Sequence, residues 1–105
     1  GLGIYLCDPS GSCTYANKTL AKMFSTDQES MLGYGWIAPI IDKKTAYDNW
    51  IFAVKNKTPY RDTYYISSNN ESGKSQIYTE AEPSYDDVTG SIIGYVGICK
   101  FVDKV

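Results

Sequence analysis

The sequence contains no histidine, and Arg61 is its single arginine among 105 residues. Without histidine the chain cannot build a Ser-His or Cys-His nucleophile, a histidine-ligated metal site or the usual proximal ligand of a haem. A surface that binds nucleic acid is usually basic and rich in arginine, whereas the net charge here is −2. We therefore expect neither a histidine-dependent enzyme nor a nucleic-acid partner.

Long apolar runs are also missing. A membrane-spanning helix needs about 20 consecutive apolar residues, and no run in this sequence approaches that length. The first residues, Gly1-Leu2-Gly3, carry no basic segment and no apolar signal core. We expect no membrane contact by this segment and a cytoplasmic location, with any membrane anchor of a parent protein outside the segment.

Cysteine is scarce, with Cys7, Cys13 and Cys99 as the three examples. An odd number without a secretion signal favours reduced thiols, and such remote spacing does not predict a zinc site. Cys7 and Cys13 flank the first turn, so a cross-strand bridge between them is conceivable. Cys99 is either a redox-sensing thiol or a buried structural side chain. The structural role is favoured because only Lys100, beside it in the sequence, would lower its pKa.

The composition that is present is that of a folded domain. Hydrophobic residues make up 43% and aromatic residues 14% of the chain, and ten of the aromatic residues are tyrosines. Such a content excludes disorder, and the length fits one small domain with a modest core. Tyrosine is amphipathic, so it suits half-buried strands and the walls of clefts.

The first third of the chain opens on a hairpin. Asp8-Pro9-Ser10-Gly11 predicts a tight turn, because Asp hydrogen-bonds the backbone two residues on, Pro presets φ and Gly accepts a left-handed conformation. The flanking strands are predicted at residues 3–7 and 12–16. Asn17 then predicts the cap of a short helix, which ends the hairpin.

Two further helices are predicted before the chain returns to strands. Thr26 and Glu29 form a capping-box pattern, with the helix ending at Gly33. Asp42 predicts the cap of a longer helix over residues 43–55. The apolar positions of that helix recur at helical spacing and define one buried face: they are Ala46, Trp50, Ala53 and Val54, with Tyr47 at the margin.

The rest of the chain alternates with the period of strands. Strands are predicted at residues 60–67, 75–85 and 92–102, with polar turns at 68–73 and 86–90. Pro83 lacks a backbone donor, so it predicts an edge, a bulge or a strand end. The order of two strands, three helices and three strands fits an α+β fold, in which one antiparallel sheet is covered by helices on one face.

Four segments of the sequence together resemble a PAS domain. "GIYLCDPSGSCTYAN" resembles the opening hairpin of that family, and "FSTDQESMLGYGW" resembles the helix that leads into Leu-Gly and an aromatic residue. "APIIDKKTAYDNW" is similar to the start of the long helix, and "DDVTGSIIGYVGI" to the last hairpin. The resemblance covers nearly the whole chain and implies a five-stranded antiparallel sheet in the order 2-1-5-4-3, with helices on one face.

The resemblance also implies a function. PAS domains are sensory or dimerisation modules, usually upstream of a histidine kinase, a cyclic-dinucleotide enzyme or a transcription regulator. We accordingly expect residues 1–105 to be one such domain, cut from a larger signalling protein and not catalytic itself. The missing histidine disfavours a histidine-ligated haem, and a flavin–cysteine adduct is disfavoured because no cysteine lies between Cys13 and Cys99. The identity of any cofactor stays open.

Several aromatic and apolar residues belong to predicted helices and strands that are expected to pack against each other. One interpretation is a pocket for a small uncharged or aromatic molecule; the other is a filled core, with the open sheet face making dimer contacts. Arg61, the sole arginine, falls at a strand start, so an anionic ligand is disfavoured. In the full-length protein we expect a homodimer. The pocket candidates are Leu20, Met23, Phe24, Trp36, Trp50, Val54, Tyr64, Ile66, Tyr78, Tyr95 and Cys99.

Overall fold

The computed structural model describes residues 1–68 and 70–102; residue 69, in the turn predicted at 68–73, and residues 103–105 lie outside the described residues. The elements are β1 (Gly3–Cys7), β2 (Cys13–Ala16), α1 (Lys18–Met23), α2 (Gln28–Met31), a 3₁₀ turn (Gly35–Ile37), α3 (Lys43–Asn56), β3 (Tyr60–Ser67), β4 (Lys74–Tyr85) and β5 (Ile92–Phe101). None of the helices in these described ranges is long and apolar enough to cross a membrane.

The five strands form one antiparallel sheet in the order β2-β1-β5-β4-β3. The first and last strands of the chain, β1 and β5, therefore pair with each other, with Tyr5 opposite Gly97. The fold class and the strand order expected from the sequence are both confirmed.

The sheet has one buried and one open face. In β4, Ile77, Thr79 and Ala81 are buried, while Tyr78 and Glu80 between them are only half-buried. This period of two shows that alternate side chains point into the core beneath the helices. Helices on one face, as expected, are thus confirmed.

Side-chain caps fix where the helices begin. Asn17 Oδ1 accepts the backbone N–H of Leu20 at 2.9 Å, and Asp42 Oδ1 accepts that of Thr45 at 3.1 Å, as predicted. The capping box at Thr26 is wrong by one residue, because Asp27 Oδ1 accepts the N–H of Ser30 at 2.8 Å and so caps α2. Aspartate outranks threonine as a helix cap, which favours the shifted start.

The turn of the first hairpin is joined to α3. Asp8 Oδ1 accepts the backbone N–H groups of Ser10 at 2.9 Å and Ser12 at 3.1 Å. Gly11 has φ +91°, and its carbonyl accepts the indole N–H of Trp50 at 2.9 Å. A side chain at Gly11 would crowd this indole and Val54, so glycine is needed for both the turn and the close approach of α3.

Pro83 lies in β4 where only one neighbour pairs with it. The β3–β4 pairing starts at Tyr60 opposite Ala81, whereas Pro83 pairs with Tyr95 of β5. A bulge follows at once, between Ser84 and Tyr85. The missing donor of proline therefore leaves no gap in the β3–β4 ladder. Of the predicted alternatives, an edge, a bulge or a strand end, the structure shows a locally unpaired edge at Pro83, with the bulge and the end of the strand one to two residues later.

Candidate functional site

A cavity of about 30 Å³ lies between the helices and the inner face of the sheet. Its lining comes from all five strands, from the helices and from the 3₁₀ turn, so the cavity is the point where the whole fold meets. A volume of ~10–15 Å³ holds one water molecule, and the cavity therefore has room for one or two. The lining residues are Tyr5, Cys7, Cys13, Leu20, Phe24, Met31, Trp36, Trp50, Tyr60, Tyr64, Thr79 and Cys99.

Aromatic rings make up much of the wall. Trp50, on the buried face of α3, is 2% exposed and contacts the edge of Trp36 at a ring-centroid distance of 6.4 Å and that of Tyr60 at 5.0 Å. Phe24 and Tyr64 meet in the same edge-to-face manner at 6.4 Å. This geometry is the one that aromatic pairs prefer, so the wall is closely packed.

Two hydroxyl groups are linked on the floor of the cavity. The Thr79 hydroxyl donates to the carbonyl of Ile98 at 3.0 Å, and the Tyr5 hydroxyl lies 2.8 Å from Thr79 Oγ1. Because the single Thr79 proton is used toward Ile98, the Tyr5 hydroxyl donates to Thr79. The Tyr5 ring lies directly against Gly97, where any side chain would overlap it.

Five of the six ionisable side chains that line the cavity have a raised pKa and are neutral at neutral pH; the exception is Cys13, whose pKa is lowered. Burial raises the pKa of Tyr5 and of Tyr64 well above their usual value, and it raises the pKa of Cys99 to about 12. No lysine, arginine, aspartate or glutamate belongs to the lining among the described residues. Arg61 lies outside, with its side chain 63% exposed and 3.7 Å from the carboxylate of Glu80. An uncharged molecule is the only kind that these surroundings favour.

The three cysteines are free thiols, and all are buried. Each lines the cavity. The Cys13 thiol donates to the carbonyl of Tyr15 at 3.4 Å. Within residues 1–68 and 70–102, no group of three cysteine, aspartate or glutamate side chains is placed to hold a metal ion.

The structure brings together a part of the candidate set from the sequence. The candidates at the cavity are Leu20, Phe24, Trp36, Trp50, Tyr64 and Cys99. The others, which do not line it, are Met23, Val54, Ile66, Tyr78 and Tyr95.

Three of the candidates that do not line the cavity have other neighbours in the fold. Tyr78 falls between two inward residues of β4, so it points to the open face, where the Lys100 ammonium lies 5.6 Å from its ring. Ile66 is buried beside Ile40, at an isolated bridge. Tyr95 is buried against Trp50 at 5.3 Å.

The remaining two candidates also have other neighbours. The carbonyl of Val54 accepts the Tyr95 hydroxyl at 3.3 Å, and its side chain is half-buried beside the first turn. Met23 is buried in the core at the end of α1. Both residues therefore support the wall without lining the cavity.

Six lining residues were not among the candidates, and some had a signal in the sequence. Tyr5 and Cys7 alternate with the exposed Ile4 and Leu6, a pattern that places them on one face of a strand. Tyr60 shares a face with Tyr64 by the same rule. The full set of missed residues is Tyr5, Cys7, Cys13, Met31, Tyr60 and Thr79.

Comparison with known proteins shows similarity in structure alone. No family model matches the sequence, and no curated protein matches it. A PAS domain from Colwellia psychrerythraea is 18% identical with a TM-score of 0.70, covering 96% of this chain and 86% of that one. The N-terminal domain of a diguanylate cyclase with a PAS/PAC sensor from Marinobacter aquaeolei is 11% identical with a TM-score of 0.78, covering 96% and 94%.

A third similar structure comes from another kind of protein. It is a sensory box histidine kinase/response regulator from Burkholderia thailandensis, 15% identical with a TM-score of 0.64, covering 96% of this chain and 76% of that one. An α+β domain with one antiparallel sheet under three helices is the class that the architecture defines. Within that class the chain has the PAS fold, which confirms the resemblance seen in the sequence.

Proposed function

We propose that this chain is a non-catalytic sensory module that binds a small uncharged ligand in the cavity and passes the change to an effector through β5. The observation that carries the proposal is a cavity without charged side chains whose wall comes from all five strands and from the helices. A molecule bound there would contact every layer of the fold at once. Its presence would therefore favour one packing of helices on sheet over another.

The size of the cavity implies that a larger ligand must move part of the wall. Trp36 and Tyr64 are both half-buried members of the aromatic wall, but Tyr64 is held in strand β3, whereas Trp36 lies on the three-residue turn Gly35–Ile37, which has no side-chain cap. Trp50 by contrast is 2% exposed and tied to Gly11 by its indole N–H. We therefore assign the movable side of the cavity to Trp36.

The last strand is the route for the signal. Cys99 of β5 lines the cavity, and Gly97 of the same strand supports the ring of Tyr5. A C-terminal effector in a larger parent protein would receive a change in this strand, and a homodimer would convey it as a change in dimer geometry. Similar structures from a diguanylate cyclase and from a histidine kinase support effectors of those two kinds.

Thermal shift with matched small probes tests ligand binding. Phenol is uncharged at neutral pH and benzoate is anionic, although the two have similar size. We expect millimolar phenol to raise the unfolding midpoint of the wild-type chain, because a ligand that binds only the folded form stabilises it, and benzoate to have no such effect. Tyr64→Ala removes a phenol-shaped part of the wall. Phenol should therefore raise the unfolding midpoint of this variant by more than it raises the midpoint of the wild type.

Tyr78→Ala is the control, since it makes the same truncation on the open face of the sheet. It should respond to phenol as the wild type does. If phenol leaves both the wild type and Tyr64→Ala unshifted, or if benzoate shifts the wild type equally, the cavity is not a binding site for uncharged ligands and the proposal fails.

A second candidate function, dimerisation through the sheet, rests on the open face. Leu6 is 40% and Val96 48% exposed, and they lie opposite each other in the β1–β5 pairing; Ile4 lies opposite Ile98 in the same way. Tyr15, 45% exposed, continues the row beyond Leu6. These five residues form one apolar patch across β2, β1 and β5, and we propose a second copy of the chain as its partner.

Sedimentation of the purified chain tests this second function. A dimer that uses the patch should dissociate in Val96→Lys, because a charge would be buried at its centre. Val88→Lys is the control, since Val88 is 93% exposed outside the patch. A wild-type chain that stays monomeric at high concentration excludes the homodimer through this face.

A further inference from the structure

Cys7 and Cys13 lie directly opposite each other across the first hairpin. Cys7 ends β1 and Cys13 begins β2, and the two are paired in the register of the strands. Both side chains point into the core and line the same cavity. The structure therefore places two free thiols on one face of one strand pair.

Backbone hydrogen bonds show that this pair is of the closely spaced kind. The N–H of Cys13 donates to the carbonyl of Gly33 at 2.9 Å, and the carbonyl of Cys13 accepts the N–H of Gly33 at 2.8 Å. Both groups thus point away from β1, so Cys7 and Cys13 form a non-hydrogen-bonded pair. Such pairs bring Cα atoms to about 4.5 Å, with their side chains close. A disulfide needs roughly 4.4–6.8 Å between Cα atoms, a range that includes this spacing. The pair borders a bulge between Leu6 and Cys7, and bulged strands bend locally, so the small adjustment that the bond needs falls at an irregular point of the ladder.

Access to the pair is limited to small reagents. Cys7 is 6% and Cys13 5% exposed, and both border a cavity of about 30 Å³. That space holds one or two waters. Hydrogen peroxide, with two heavy atoms, matches this size, whereas a bulky disulfide such as oxidised glutathione does not.

We propose that Cys7 and Cys13 are a peroxide-sensitive pair that forms a reversible cross-strand disulfide. A thiolate sulfur attacks one peroxide oxygen, the O–O bond breaks, and a sulfenic acid and hydroxide result. The second thiol then attacks the sulfenic sulfur, forming the S–S bond and releasing water. Two thiols and one peroxide give one disulfide and two waters, and the reaction needs no ligand in the cavity.

The two thiols have different roles. A hydrogen bond from the Cys7 thiol lowers the pKa of Cys13, whereas the same contact, followed by burial, raises the pKa of Cys7. We assign the attack on peroxide to Cys13, toward which these pKa directions point, and the resolving step to Cys7; formation of the disulfide from the paired thiols does not depend on that order. Cys99 has no cysteine opposite it, since its partners in the sheet are Gly3 and Thr79.

The bond would close a ring around the turn that holds α3. The carbonyl of Gly11, within that turn, accepts the indole N–H of Trp50. Oxidation would therefore fix the turn to which the long helix is tied, and it would join the two sulfur atoms at the cavity wall. A rise in cellular peroxide would in this way alter the packing of the helices on the sheet, which is the same packing that ligand binding would alter.

Oxidation of the folded chain tests the pair. Hydrogen peroxide is added to the wild type, Cys99→Ser, Cys7→Ser and Cys13→Ser, and the products are alkylated in denaturant before intact-mass analysis and non-reducing peptide mapping. We expect the wild type and Cys99→Ser to lose two hydrogen atoms, to gain a Cys7–Cys13 cross-linked peptide and to recover both thiols with dithiothreitol. Their unfolding midpoints should rise by several degrees on oxidation.

The order of attack has its own measurement. After peroxide treatment and removal of the excess peroxide, each variant is unfolded in denaturant that contains dimedone, so that the label can reach the buried sulfur atoms. Cys7→Ser should then carry dimedone on Cys13, whereas Cys13→Ser should leave Cys7 largely unlabelled. Should a serine variant fail to fold, as judged by circular dichroism, the peptide map of the folded wild type decides by itself. A map without the Cys7–Cys13 peptide, or one in which Cys99 forms the main cross-link, overturns the proposal.

Discussion

At the scale of single residues, the floor of the cavity depends on one position without a side chain. Gly97 lies opposite Tyr5 in the β1–β5 pair and opposite Ala81 in the β4–β5 pair. The Tyr5 ring crosses β5 at this point, which lets its hydroxyl reach Thr79 at 2.8 Å. A glycine inside a strand is typical of a bend or of a close approach by another group, and at Gly97 that group is the Tyr5 ring.

Gly97→Ala tests that dependence. Its Cβ would overlap the ring of Tyr5, so the ring must move and give up the bond to Thr79. Overpacking of this kind costs about 1–3 kcal/mol, and we expect about 2 kcal/mol less stability in urea denaturation. Val96→Ala, one residue earlier on the open face, should change stability by less than ~0.5 kcal/mol. A Gly97→Ala chain as stable as the wild type would show that the Tyr5 ring does not need this gap.

At the scale of elements, the first hairpin and the longest helix form one unit through a single hydrogen bond. The turn between β1 and β2 presents the carbonyl of Gly11, and α3 presents the indole of Trp50. Both groups are buried, so neither has water as an alternative partner. The tight turn at the start of the chain thus positions a helix that begins more than 30 residues later.

Trp50→Phe removes the donor and keeps an aromatic ring. The Gly11 carbonyl is then buried without its partner, which costs about 1–3 kcal/mol. We expect a loss of roughly 2 kcal/mol in the free energy of unfolding, measured by urea denaturation. Tyr47→Phe is the matched control on the same helix, because Tyr47 is 42% exposed and its loss should be small. Equal stability of the two variants would contradict the link between turn and helix.

The starts of the helices could be predicted from the sequence, because a helix cap depends only on residues that are near each other in the chain. Asn17 and Asp42 are caps whose oxygens accept nearby backbone N–H groups, so they reveal helix starts without knowledge of the fold. The capping-box pattern predicts Thr26 as the cap of α2, whereas the better acceptor beside it, Asp27, accepts the hydrogen bond. Tyr78 shows the limit for the site, since the identity of a residue does not reveal which face of a strand it occupies. Register decides that, and a shift of one residue reverses it.

At the scale of the whole molecule, the cavity is a property of packing that sequence patterns do not contain. Periodicity indicated which faces are buried, and so it predicted where helices and sheet meet. The volume left between them depends on how all twelve lining side chains fill that space, and it amounts to about 30 Å³. Because packed interiors leave few voids, a small remainder is the usual outcome even where the wall is aromatic.

Acid stability is a second property of the whole molecule, because aspartate carboxylates accept backbone hydrogen bonds at two hairpin turns and at two helix starts. Asp8 and Asp86 accept hydrogen bonds in the first and last hairpin turns, and Asp27 and Asp42 cap α2 and α3. In each case these bonds lower the pKa of the carboxyl group below its usual value of 3.8; the largest causes are Ser10 for Asp8, Thr89 for Asp86, Ser30 for Asp27 and Thr45 for Asp42.

The sign of the pH dependence follows from these shifts. A carboxyl group whose pKa is lower in the folded state contributes stability above its unfolded pKa and loses it as the pH falls through the folded value. We therefore expect the urea midpoint to be level between about pH 5 and pH 7, where no histidine titrates, and to fall steadily from about pH 4 downwards. Asp86→Asn keeps a hydrogen-bond acceptor without the titration, so its midpoint should fall less steeply. Asp87→Asn, next to it in the same turn, is the control, and its urea midpoint should fall with pH as that of the wild type does. If the midpoint of Asp86→Asn falls as steeply as the wild-type midpoint, Asp86 is not a source of the acid sensitivity.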